Sequence, residues 1–302
     1  MGNILTKQFY RQRKDFEDSC AGRDAGLTFP EGVRCSTDIA YADDGIKAHM
    51  LDIYRPEDSQ EKILPVIINV HGGGLIIGNK EFNRYFCALL CKKGFLVYSI
   101  EYRLIPDCLI YDQIADVFMA MDYIKERLAA DGGDSSHVYM AGDSGGACLI
   151  TYANAIQNST NIARAANVTP SGLRINALGL ISGMFYTSRF DKIGLFLLKY
   201  LYGRDYKKTP FAKYVNPENR ELMNSLVPVW LVTSHNDFLR RYTTDFEKAL
   251  TRAEREHELV VFPKNKKLTH AFSVFEPFMP ESGAVIDLSL IHISEPTRRS
   301  YI

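Results

Sequence analysis

Six short runs of nearly unbroken apolar residues constrain this chain more than any other feature: 66–70, 95–100, 137–141, 177–181, 229–232 and 259–262. A strand with one wet face alternates apolar and polar residues; a strand covered on both faces has no reason to. Helical segments separate the runs, at 81–93, 114–129, 146–155 and 242–255. Strand alternating with helix predicts a mainly parallel sheet with helices on both faces. Ahead of them, 35–41 and 46–54 alternate around Asp43-Asp44-Gly45 and read as an antiparallel hairpin.

At 302 residues the chain is long enough for one large α/β domain with a full core. Residues 186–225 break the alternation with Phe190, Ile193, Leu195, Phe196, Leu198, Tyr200 and Leu201 and are too long for a simple connection, so they read as a lid over the sheet's carboxyl edge. Residues 289–302 read as a non-native tail, which confines the domain to 1–288 and ends a last helix, starting near Pro280, at about Asp287.

Basic and acidic residues balance at 36 each with no long block of one sign, so the sequence carries no footprint for nucleic acid or an anionic membrane. A neutral small-molecule substrate fits better. No apolar run is long enough to span a bilayer, and 1–16 lacks the apolar stretch of a secretory signal. Gly2 and Thr6 satisfy the short acylation pattern, which is too loose to carry an anchor. Cys20, Cys35, Cys87, Cys91, Cys108 and Cys148 form no Cys-x-x-Cys pair and read as reduced thiols of a cytoplasmic protein.

Gly142-Asp143-Ser144-Gly145-Gly146 stands between an apolar run and a helix, the context that turns G-x-S-x-G from a string into a sharp turn presenting a nucleophile. His71-Gly72-Gly73-Gly74 follows another buried run, where its amides and that of Gly145 can face the same point. Gly72, Gly73 and Gly145 are the expected oxyanion donors, each typically contributing about 3 kcal/mol to the transition state. His71, in that arm, reads as structural. A base is then required downstream. His270 lies in the loop after 259–262, at the same sheet edge as Ser144; His235, His257 and His292 read as a loop, a surface and a tail residue. Asp237, after the run 229–232, is the expected acid, because Asp245 should already lie inside the next helix.

With His71-Gly72-Gly73-Gly74, Tyr102-Arg103-Leu104-Ile105-Pro106, Gly142-Asp143-Ser144-Gly145-Gly146, Asp237-Phe238-Leu239-Arg240 and His270-Ala271-Phe272 in order, the chain resembles the hormone-sensitive-lipase-like family of α/β-hydrolase esterases over about residues 45–288. The resemblance implies the α/β-hydrolase fold and hydrolysis of short- to medium-chain carboxylic esters. It also implies a small helical cap, here 1–34 and 186–225. Ser144, Asp237 and His270 would form the catalytic triad, with no metal or organic cofactor. Phe238 stands where the family usually has proline and Ala271 where it usually has glycine. A chymotrypsin-like protease fails on the order of base, acid and serine and on the missing disulfide framework. A small-peptide peptidase of the same fold and a non-catalytic ligand-binding homologue stay open as alternatives.

Overall fold

The computed structural model describes residues 2–59 and 61–294. The expected hairpin is present as β1 (Val33–Ala40) and β2 (Met50–Pro56), antiparallel, so the first strand begins just inside the stretch assigned to the cap. The apolar runs become β3 (Leu64–Val70), β4 (Leu96–Ile100), β5 (Gly133–Asp143), β6 (Ala177–Ile181), β7 (Val229–Ser234) and β8 (His257–Phe262). They form one sheet in the order β1-β2-β4-β3-β5-β6-β7-β8, parallel from β4 onward.

Each buried run feeds two cores, because successive side chains leave a strand on opposite faces. Val66, Ile68, Val70, Leu178, Leu180 and Leu231 enter one cluster, and Ile67, Ala177, Ile181, Trp230 and Val232 the other. The first is covered by α3 (Ile110–Arg127), α4 (Ser144–Asn158), α5 (Thr160–Ala166) and α9 (Arg240–Arg252). The second is covered by α2 (Arg84–Lys92), α10 (Phe272–Phe275) and α11 (Pro280–Ser294). One run departs from the expectation. Strand β8 is one edge of the sheet, paired among the described residues with β7 alone, and Val261 is 38% exposed. Its apolar residues are too few for position along the sheet to be read from them.

Two pieces of chain lie outside this layering. The first is α1 (Gly2–Asp24), whose Phe9, Arg13, Phe16 and Cys20 recur at helical spacing; Phe9 and Cys20 are buried, and the Phe16 ring packs on Phe82. The second, within 186–225, consists of α6 (Lys192–Phe196), α7 (Leu198–Tyr202), two short 3-10 turns and α8 (Arg220–Asn224). The two pieces meet where Phe9 packs edge-on against Tyr200. Helix α11 runs on past Asp287, the expected end, to Ser294; 295–302 of the suspected tail lie outside the described residues.

Candidate active site

The expected site residues converge at the carboxyl ends of four strands. Ser144 follows the last residue of β5 and starts α4. Its φ of 49° lies in the left-handed region, unusual for a residue with a side chain and common in strained functional turns. Two glycines make that turn fit. A methyl group on Gly146 would lie 2.1 Å from the Val70 carbonyl oxygen and 2.5 Å from that of His71, and one on Gly142 would meet the backbone of Gly146 at 2.9 Å. Any larger residue would push the turn off β3.

The Ser144 hydroxyl lies 2.9 Å from His270 Nε2, and His270 Nδ1 lies 2.7 Å from Asp237 Oδ1. A carboxylate only accepts, so Nδ1 carries the proton and Nε2 is left to accept from Ser144. Asp237 is buried and well held: the Thr233 hydroxyl donates to Oδ2 at 2.8 Å and the Leu239 amide to Oδ1 at 2.8 Å. Burial pushes its carboxyl up, but the bonds from His270, Ser182 and the Leu239 amide outweigh this and hold it below the usual carboxylate value. Ser182, after β6, also accepts the Ala271 amide at 3.1 Å and so ties the loop of the base to the acid. Ala271 itself sits at φ 48°, which gives a backbone reason for glycine at this position.

The glycine arm differs from expectation at one position. The Gly72 amide donates to Asp143 Oδ1 at 3.0 Å, inside the protein, so it is not free to serve an oxyanion. The amides left without an acceptor among the described residues are Gly73 and Gly74 in the arm and Gly145 in the first turn of α4, where backbone donors have no partner within the helix. Gly145 abuts the arm so closely that a methyl on it would lie 3.1 Å from the Gly74 nitrogen. Asp143, the variable residue of G-x-S-x-G, therefore fixes the register between arm and turn, and Asn83 donates to the same oxygen at 3.0 Å. Its burial raises the carboxyl above the usual value.

His71 is structural, as read from the sequence: Nδ1 meets the Gly72 carbonyl at 2.8 Å, Nε2 meets Glu101 at 3.0 Å, and its ring stacks on Tyr102. The Tyr102 hydroxyl donates to the His71 carbonyl at 2.8 Å, and Arg103 forks onto the fully buried Asp116, which accounts for the tyrosine-arginine pair in the sequence. Arg13 of α1 also reaches this arm. It donates to the carbonyls of Ile76 at 2.8 Å, Leu104 at 3.0 Å and Ile105 at 2.6 Å, and pairs with Asp107 at 2.7 Å. The competing histidines stay apart: His235 is exposed beside Arg240, and His257 opens β8. Asp245 lies inside α9 and pairs with Arg189. Among the described residues no cluster of His, Cys, Asp and Glu could hold a metal ion, and no helix is long and apolar enough to cross a membrane.

A family model described as alpha/beta hydrolase fold matches residues 67–273, which contain Ser144, Asp237, His270 and the glycine arm but not Arg13. The chain belongs to the α/β-hydrolase fold family, in its hormone-sensitive-lipase-like branch. Among relatives of this α/β hydrolase, a probable isoprenylcysteine alpha-carbonyl methylesterase of Oryza sativa subsp. japonica is 29% identical over 264 residues, 82% of this chain and 62% of that protein. Esterase LipQ of Mycobacterium tuberculosis is 32% identical over 120 residues, 39% of this chain and 28% of its own. The chain thus spans about three fifths of the length of the rice relative. Among solved structures, esterase B from Lactobacillus rhamnosis superposes with a TM-score of 0.90 at 22% identity, covering 97% of this chain and 95% of its own. At that identity the likeness speaks for the α/β-hydrolase fold, along nearly the whole chain.

Proposed function

We propose that this α/β hydrolase is a carboxylesterase that cleaves esters of short- to medium-chain acids through an acyl-enzyme on Ser144. The observation that carries the reading is the line of hydrogen bonds from Ser144 through His270 to Asp237, at 2.9 and 2.7 Å, beside three backbone amides with no acceptor among the described residues. His270 takes the hydroxyl proton as Ser144 attacks the ester carbonyl, and Asp237 stabilises the imidazolium formed. Gly73, Gly74 and Gly145 replace the set with Gly72 as donors to the oxyanion. His270 then passes its proton to the leaving alcohol, and water repeats the sequence to release the acid. The segments 1–34 and 186–225 serve as a cap over this chemistry. The names of the rice and LipQ relatives agree with ester cleavage, and the former adds methyl esters of prenylated cysteine to the substrates to assay.

The test is turnover of p-nitrophenyl esters from acetate to decanoate by the full chain and by Ser144→Ala. Removing a triad serine should lower kcat by about 10⁴-fold or more while the protein remains folded. Turnover that persists in Ser144→Ala, or a folded wild type with none on any ester, would refute the reading and favour peptide cleavage or ligand binding.

A further inference from the structure

The chain as a whole is electrically balanced, and the piece 1–34 is nearly so with six basic and five acidic residues, but 186–225 holds eight basic residues against four acidic ones. Six of the eight fall in 186–208 beside only Asp191 and Asp205, and four of the basic residues of 1–34, Lys7, Arg11, Arg13 and Lys14, gather ahead of its first acid, Asp15. The pieces pack against each other through the contact of Phe9 with Tyr200. Part of this charge is used internally: Arg13 by Asp107, Arg189 by Asp245, Lys208 by Asp205, Arg11 by Asp15 and Lys14 by Asp18. Lys7, Lys192, Lys199, Arg204 and Lys207 are exposed and have no ion pair among the described residues.

Apolar side chains stand in water on the same pieces: Phe190 is 94% exposed, Ile4 74%, Leu195 56% and Phe196 54%. Phe238 continues the series toward the site, 75% exposed with its ring 4.3 Å from the His270 imidazole. Asp191, which caps α6, accepts from the Tyr242 hydroxyl in the first turn of α9, so α6 is fixed beside the loop that carries Phe238. A lone exposed aromatic needs no account, but a group of them set among unpaired cations marks a contact surface. An acidic protein would satisfy the cations but leave singly protruding rings without pockets. A bilayer satisfies both, since rings enter the headgroup and acyl boundary while lysines meet lipid phosphates.

We propose that this face seats on an anionic lipid bilayer, with the site mouth turned toward the membrane so that esters held in the bilayer reach Ser144 from the lipid side. The second half rests on the esterase reading; the docking does not. The test is vesicle flotation of the full chain. Phosphatidylcholine vesicles with about 30% phosphatidylserine should carry the protein at about 0.1 M salt, neutral vesicles should not, and about 0.5 M salt should release it. Phe190→Ser with Phe196→Ser, and separately Lys192→Glu with Lys199→Glu, should each weaken binding by about tenfold or more. Both pairs should keep wild-type turnover of dissolved p-nitrophenyl acetate and lose turnover of an ester embedded in the vesicles. No flotation of the wild type, flotation unchanged in both pairs, or binding to heparin without binding to vesicles would overturn the proposal. Flotation that depends on these residues in a protein that cleaves no ester would uphold the docking and remove the esterase reading instead.

Discussion

At Ser144 the backbone holds a left-handed conformation that costs of order 1–3 kcal/mol, and the close seat of Gly146 on β3 keeps it there. The acid is tuned by the same kind of local fixing. Asp237 has a folded value below its unfolded one, so it stabilises the protein at pH above the ordinary carboxylate value of 3.8, and this contribution is lost as pH falls through the lower folded value. Asp237→Asn should therefore flatten the loss of thermal midpoint on acidification below about pH 4 and lower kcat by about 10⁴-fold. A parallel acid profile in the two proteins would contradict the assignment. Ser144, Asp237 and His270 were legible because each sits in a short motif on the carboxyl side of an apolar run, within eight positions of its end. The choice among three consecutive glycines was not legible, since Asp143, 71 positions from Gly72, decides which amide is consumed.

Elements were legible where their pattern recurred. The buried strands announced themselves by unbroken apolar runs, whereas β8 carried the same signature at an edge. Helix α1 was hidden because its inward stripe of Phe9, Arg13, Phe16 and Cys20 includes a guanidinium, which no apolar count registers. That guanidinium connects the helix to the glycine arm. Arg13→Met should keep the fold and KM while lowering kcat about ten- to a hundredfold, because arm carbonyls at Ile76 and Ile105 lose their tether and the oxyanion amides lose their aim. Steady-state kinetics separates this from a binding defect; a rise in KM at constant kcat would place Arg13 in substrate recognition. Helix α11 continues through Ser294, past the boundary near Asp287 that the suspected tail had set.

Across the whole molecule the six cysteines behave as packing residues. All are free, and burial pushes Cys20 and Cys35 up to about 11, Cys91, Cys108 and Cys148 to about 12, and Cys87 higher still. A thiol reagent at pH about 8 should leave the native protein almost unlabelled and modify all six on unfolding. Cys35 and Cys108 are partly exposed, so labelling of Cys20, Cys87, Cys91 or Cys148 in the native state is what would reveal local opening. One last consequence follows from the way Ser144, His270, Asp237 and the glycine arm hang from β5, β8, β7 and β3. No stretch of neighbouring sequence holds a working part: Ser144 and His270 are 126 positions apart and meet only when β5, β6, β7 and β8 are in register, and the glycine arm needs β3 on the other side of β5. Catalysis is then a census of finished molecules. On dilution from denaturant, helix signal should return first and ester turnover only after the slow long-range pairing is complete, so that each catalytic event certifies an entire sheet.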